Sequence, residues 1–499
     1  MDVLNFLMMG FEVALQPQNL LIALIGAFIG TIVGLLPGLG PINGVALLLP
    51  FAYALGLPVE SALILLAAVY LGCEYGGRIS AILLNVPGDA GAIMTTLDGY
   101  PLAQQGKAGI ALSLSSVSSF IGSTVAFIGI VLFAPLLARW AVSFGPAEYF
   151  ALMVFAIVCL TGLVNTQPFK TLIMALIGLS LSTVGMDAIT GVYRFTFDSV
   201  GLSDGIAFTT IVIGLFSISE ILLLLERTTM GKVVLEQGKR SLFNLKEFLS
   251  SLMTMLRSSL LGFFSGILPG AGASVASAMA YTTERKLARD GSQFGKGDLR
   301  GLAAPESANN AAACGSFVPM LTLGVPGSGT TAVMMGALTM YNITPGPQLF
   351  AEQPTLVWAL IASLMVGNII LLVLNLPLVG FFARLLSIPN YILIPIIATI
   401  SFVGVYAIHS TIFDLLLCMG LGIVGYILRK FDFPLAPLIL GFVLGELMES
   451  NLRRALSISQ GELSILWSSS ISIGLWMMSA LLLLLPIIRK YLWVKNKSA

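Results

Sequence analysis

The sequence predicts an all-α polytopic membrane protein, and three observations carry that assignment. Of 499 residues, 57% are hydrophobic and only 10% charged, against roughly 25% charged in a soluble domain. Apolar runs long enough to cross a hydrocarbon core, about 17–25 residues, recur from end to end. The runs are continuous, without the alternating polarity of barrel strands, and backbone in lipid must satisfy its own hydrogen bonds, so they read as helices.

Taken in order, residues 1–19 contain MDVLNFLMMGFEVALQPQ, which lacks a basic n-region and a small-residue cleavage site. It reads as an interfacial amphipathic helix and not a removable signal peptide. Clear spans follow at 20–37, 108–138, 147–165, 206–225, 356–379, 391–408 and 471–488. With the shorter and polar-spotted runs between them, about 10–12 spans are expected, some incomplete.

Charged stretches are few. Residues 226–248 carry Arg227, Lys232, Lys239, Arg240 and Lys246; residues 284–300 hold five basic residues; the tail adds Arg489, Lys490, Lys495 and Lys497. The positive-inside rule places all three in the cytoplasm. The first two enclose only residues 249–283, so that segment should enter and leave on one side, turning at GILPGAG (266–272).

A net charge of +1 argues against a nucleic-acid partner. Cys73, Cys159, Cys314 and Cys418 sit within apolar runs without CxxC spacing, as small core residues do. No metal site is expected beyond a transported ion, and no cofactor.

GILPGAG has a counterpart. FIGTIVGLLPGLGP (28–41) aligns with LLGFFSGILPGAGA (260–273), pairing Gly30, Gly34, Pro37, Gly38 and Gly40 with Gly262, Gly266, Pro269, Gly270 and Gly272 at a constant offset of 232. Downstream, Pro87-Gly88 pairs with Pro326-Gly327 at an offset of 239. The chain therefore reads as repeat 1 (20–225), a basic linker (226–249), repeat 2 (250–465) and a terminal helix with basic tail (466–499).

Matched Gly/Pro breaks in two halves are the sequence sign of a transporter site. Proline removes a donor and glycine permits φ > 0, so such breaks free backbone groups at membrane depth, where only protein or a wet cavity can satisfy them. The competing explanation is helix packing. It suits Gly26, Gly30, Gly34, Gly262 and Gly266, which form small-xxx-small series, but not the prolines and PGxG that follow.

Substrate-binding candidates are accordingly Pro37, Gly38, Gly40 and Asn43; Asn85, Pro87, Gly88 and Asp89; Pro269, Gly270, Gly272 and Ser274; and Pro326, Gly327, Ser328, Gly329, Thr330 and Thr331. Polar residues between the breaks supply cation-coupling candidates: Glu74, Asn85, Glu306, Asn309, Asn310 and Thr330. Intramembrane ionisable groups are functional until shown otherwise. For Glu74 and Arg78, spaced i, i+4, mutual pairing is the alternative. Asp98, Lys107 and Asp187 are expected in loops or at interfaces, and Glu446 and Glu449 face Arg453 at helical spacing, as a structural pair would. His409, the sole histidine, reads as an interfacial cap before a proton relay.

Residues 34–109, from GLLPGLGPINGVALLLP through EYGGRISAILLNVPGDAGAIM to GKAG, closely resemble the large membrane subunit of tripartite tricarboxylate transporters, the TctA type; APESANNAAACGSFVPMLTLGVPGSGTTAVMMGAL (304–338) agrees. The resemblance implies a bacterial inner-membrane carrier driven by an ion gradient. It also implies two partners, a small four-helix membrane subunit (TctB type) and a periplasmic solute-binding protein (TctC type). The implied substrates are carboxylates, citrate-like tricarboxylates foremost, and the implied architecture is inverted repeats with elevator-like transport and scaffold regions.

The leading expectation is symport of a carboxylate with Na⁺ or H⁺, Arg78 being the obvious compensating cation. A passive organic-anion channel is a second reading. An intramembrane serine hydrolase using Ser274 and His409 is a third, weakened because the repeat partner of Ser274 is Ile42.

Overall fold

The computed structural model describes residues 3–163, 167–187, 189–226, 242–270, 272–288, 293–386 and 388–497. Most of the basic linker falls outside these, as does the side chain of His409. The protein is all-α, relieved by one two-strand hairpin, β1 (Gly185–Met186) against β2 (Tyr193–Arg194).

The first half contains α1 (Val3–Ala14), α2 (Pro17–Leu35), α3 (Gly40–Ala54), α4 (Val59–Leu84), α5 (Ile93–Leu102), α6 (Ala108–Ala141), α7 (Pro146–Leu163), α8 (Pro168–Leu181), α9 (Phe208–Val212) and α10 (Ser219–Glu226). The second contains α11 (Leu245–Ile267), α12 (Gly272–Leu287), α13 (Leu299–Gly315), α14 (Phe317–Leu323), α15 (Gly329–Met340), α16 (Leu349–Glu352), α17 (Pro354–Asn375), α18 (Val379–Leu385), α19 (Asn390–His409), α20 (Ile412–Lys430), α21 (Ala436–Ile458) and α22 (Ser470–Lys497). Among the described residues, eight helical segments are long and apolar enough to span a membrane, and six more are apolar but shorter.

Both proline-glycine motifs make the chain double back. Side chains added at Gly30 and Gly34 would overlap the carbonyls of Val69 and Cys73, so α2 and α4 run in the same direction at backbone contact. Only four residues separate the end of α3 from the start of α4, so α3 returns against α2. In the second half, Gly262 and Gly266 meet the carbonyls of Ala308 and Ala312 on α13 in the same way. Here the return is pinned at its mouth: Arg257 Nε and Thr254 Oγ1 of α11 donate to Glu284 near the end of α12, at 2.8 and 2.9 Å. GILPGAG is therefore the tip of a helical hairpin that enters and leaves at one end, where α11 meets the end of α12. Its glycines before the proline serve packing, as expected.

The two hairpins open at opposite ends of the bundle. The mouth of the first lies beside Tyr341, whose hydroxyl donates to the carbonyls of Ala52 and Leu57 at 3.3 and 3.4 Å. The mouth of the second lies beside the far end of α5, where Gln105 Nε2 donates to the Lys296 carbonyl at 2.8 Å.

Asp98 departs from its expected loop setting. It is fully buried on α5 and accepts from Tyr281 Oη at 2.9 Å and from the backbone N–H groups of Gly295, Gly297 and Asp298 at 2.8–2.9 Å. A carboxylate taking several backbone donors organises a loop, and here it seats residues 293–298 on α5. Asp187 and the Glu449–Arg453 pair behave as expected. Arg453 donates two bonds to Asp187 at 2.9–3.0 Å and pairs with Glu449 at 2.5 Å, clamping the β-hairpin to α21.

Candidate functional site

The four breaks converge on one cavity of about 580 Å³. At each PGxG tip the last helical turn opens into extended backbone: Leu36 has φ −79°, ψ 116° and Leu268 φ −74°, ψ 121°. The next glycines, Gly38 at φ 94° and Gly270 at φ 80°, occupy a region that side chains rarely enter. Each then donates its N–H to the glycine of the second motif in its own half, Gly38 to the Gly88 carbonyl (3.4 Å) and Gly270 to the Gly327 carbonyl (3.0 Å). The two breaks of each half are thus joined by the same glycine-to-glycine bond in both halves.

Five helices begin at the cavity wall. Gly40, Ile93, Gly272, Gly329 and Ala436, the first residues of α3, α5, α12, α15 and α21, all line it. A helix N-terminus presents unpaired N–H groups and the equivalent of about half a positive charge. At α15, Ser328 and Thr331 cap reciprocally, Ser328 Oγ accepting from the Thr331 N–H at 3.2 Å and Thr331 Oγ1 from the Ser328 N–H at 2.8 Å.

Of the substrate-binding candidates, Gly38, Gly40, Asn43, Pro87, Gly88, Asp89, Gly270, Gly272, Ser274, Ser328, Gly329 and Thr330 line the cavity. Pro37, Pro269, Pro326, Gly327 and Thr331 belong to the same turns but lie behind its surface. Asn85 is exposed at the end of α4, in a left-handed conformation (φ 58°) that terminates the helix.

Four of the coupling candidates, Glu74, Glu306, Asn309 and Asn310, form a layer at and behind one wall, while Thr330 lines the cavity and Asn85 stands apart from it. Glu74 lines the cavity, its carboxyl against that of Asp89, and accepts from Asn309 Nδ2 at 2.8 Å. Asn309 Oδ1 is buried without a hydrogen-bond partner among the described residues and abuts Gly91, where an added side chain would overlap it. Glu306 is set deeper, bonded to Thr95 and, at 3.2 Å, to Ser119 Oγ. Asn310 Nδ2 also donates to Ser119, at 2.8 Å.

The two halves reach across each other. Tyr70 and Asn309 are separated by the same 239 residues as the second pair of Pro-Gly motifs, and so are Asp89 and Ser328. Asn309 of the second half touches the first half's break at Gly91, and the Tyr70 hydroxyl lies 3.3 Å from Ser328 Oγ in the second half's break.

Arg78 corrects the expected charge balance. It does not line the cavity and does not pair with Glu74. Its guanidinium donates to Ser116 and Ser119 Oγ at 2.9 Å each and stacks 4.4 Å over the Tyr75 ring. Residues 74 and 78 sit on one helix, but Glu74 is drawn to the break at Asp89 and Arg78 to the serine face of α6. The cation on the cavity wall is Arg429, in the last turn of α20. Its position gave no sign in the sequence, since a basic residue closing an apolar helix normally snorkels to the interface.

These features sit in a chain that matches a known family over residues 20–440. The chain belongs to the tripartite tricarboxylate transporter TctA family. This TctA-family chain is accordingly a multi-pass membrane transport protein. It is 40% identical over 475 residues, 95% of this chain and 94% of the relative, to a protein of Agrobacterium vitis described as an uncharacterized 52.8 kDa protein in the TAR-I ttuC' 3' region. A second Agrobacterium vitis protein, described as an uncharacterized protein in the TAR-II ttuC' 3' region, is 43% identical over 231 residues, 46% of this chain and 96% of that protein.

Proposed function

We propose that this chain is the permease subunit of a tripartite, binding-protein-dependent secondary transporter of the bacterial inner membrane, importing an organic acid by cation symport. The observation that carries the reading is the meeting of five helix N-termini and Arg429 in a single cavity. That arrangement suits a multiply charged anion, a tricarboxylate such as citrate or a related carboxylate. The cavity volume is also of the size usual for small-molecule sites, about 300–1,000 Å³.

Cation coupling is placed at Glu74, Asp89 and Asn309. Two touching carboxyls in a buried wall hold a proton or a cation between them, and the vacant Asn309 Oδ1 is an oxygen of the kind Na⁺ takes. A cation bound here also offsets the negative wall that a carboxylate would otherwise meet. The oppositely directed hairpins support inverted repeats with an elevator-like motion, and the tripartite partners are a TctB-type small subunit and a TctC-type binding protein.

The test is uptake into proteoliposomes holding the complete three-component system, with Na⁺ and H⁺ gradients imposed separately and citrate, succinate and aromatic acids as cargo. Uphill accumulation driven by one gradient is expected, with Asn309→Ala and Asp89→Asn raising the cation concentration needed for half-maximal uptake. Downhill equilibration indifferent to both gradients would mark a passive pore and end the symport reading.

A further inference from the structure

Three acidic or basic side chains line the cavity among the described residues: Glu74, Asp89 and Arg429. The first two are acidic, so Arg429 is the one fixed side-chain cation that an entering anion meets. It is not idle in the empty cavity. Its Nη1 lies 2.5 Å from Glu220 Oε2 and 3.4 Å from Ser219 Oγ, both on α10. Glu220 is fully buried, lies off the cavity surface, and packs against Gly38, where an added side chain would overlap its carboxylate. The ion pair is thus built into the tip of the first hairpin.

The geometry leaves part of the guanidinium uncommitted. Glu220 and Ser219 engage Nη1, while Nε and Nη2 make no hydrogen bond among the described residues. A guanidinium offers five N–H donors in a planar fork matched to a carboxylate. An arginine set largely within the bundle, with its side chain 26% exposed, also needs a counter-charge, because an unpaired buried charge is strongly destabilising.

We propose that Arg429 anchors a substrate carboxylate, and that Glu220 is its resting partner. Glu220 acts as an internal carboxylate that neutralises the guanidinium while the cavity is empty and cedes it to an incoming organic acid. The proposal rests on the carrier reading above and adds the residue that recognises the cargo and the group that competes with it. A purely structural ion pair tying α10 to α20 makes the opposite prediction for Glu220, since its loss would then weaken the site or leave it unchanged.

The experiment is thermal-shift titration of the full chain in nanodiscs with acetate, succinate and citrate, with sulfate as a non-carboxylate control. Ligand-free melting and monodispersity are recorded for every variant. Glu220→Gln should lower the half-saturating concentration about 3- to 10-fold, because an internal competitor has been removed. Arg429→Gln should raise it about 10- to 100-fold, the loss of a charged hydrogen-bonding partner, and Arg429→Lys should fall between. The double variant E220Q/R429Q removes both members of the pair together, so it keeps the test alive should R429Q misfold; it should bind as weakly as R429Q. Carboxylates that stabilise wild type and the double variant equally would overturn the proposal alone, as would a Glu220→Gln variant with unchanged or weaker binding. A wild type stabilised by no carboxylate would overturn the carrier reading together with it.

Discussion

Gly327→Ala probes a close-packed joint between the two breaks of the second half. A Cβ built on Gly327 would lie 2.8 Å from Ser316 Cα and Cβ and 2.9 Å from the Gly266 carbonyl oxygen, against about 3.4 Å for ordinary contact. The obstacles are backbone of α11 and of the junction between α13 and α14, so no rotamer change relieves them. The loop must retreat by about 0.6 Å, the shortfall between 2.8 and 3.4 Å. That movement stretches the Gly270–Gly327 hydrogen bond from 3.0 Å to about 3.6 Å, beyond useful length. Overpacking of this kind costs about 1–3 kcal/mol, and the retreat carries Ser328 and the start of α15 with it. The assay pairs thermal unfolding of the purified protein with uptake in the reconstituted system. Gly420→Ala is the control: nothing lies within 4 Å of its added methyl, and the change favours the helix by up to about 1 kcal/mol. A G327A protein with wild-type melting and uptake, or a G420A protein equally impaired, would refute the close-packing argument.

Asp98→Ala should destabilise the protein by about 2–4 kcal/mol, since it strands three backbone donors and the Tyr281 hydroxyl; limited proteolysis should then cut within residues 293–298 while sparing other loops. Gly91→Ala, whose methyl would overlap Asn309 Oδ1, should depress uptake, and adding Asn309→Ala should not restore it if the amide itself binds the cation. At the β-hairpin, the Ile189 N–H and then Arg453 hold the Asp187 carboxyl well below the usual carboxylate range. A depressed native value contributes stability that is complete above the unfolded value of about 3.9 and fades as pH falls below it. The melting difference between wild type and Asp187→Asn should therefore be constant from pH 7 to about 4 and shrink at lower pH.

The breaks were legible because proline and glycine leave few backbone alternatives, and the paired offsets of 232 and 239 showed that each half carries the same two breaks, though not that they bond to each other. The packing role of Gly30, Gly34, Gly262 and Gly266 was legible for the same reason. What the sequence concealed is what depends on azimuth. Glu74 and Arg78 share a helix and a favourable spacing, yet facing elements pull them apart. Glu220 and Arg429, 209 residues apart, meet only because α10 and α20 run side by side. Asp98 reads as a loop acid but serves a loop nearly 200 residues further on.

The crossed reach of Tyr70 and Asn309 bears on how mutations in this protein combine. Substitutions at Tyr70 and Ser328, or at Gly91 and Asn309, fall in different halves of the chain yet share a contact, so their effects should couple. Tyr70 and Gly91 lie in one half and touch different partners, so theirs should simply add. Inheritance along the chain and interdependence in space are therefore partitioned differently. A half altered in isolation perturbs the break of its twin, and each half can change freely only where the other does not touch it.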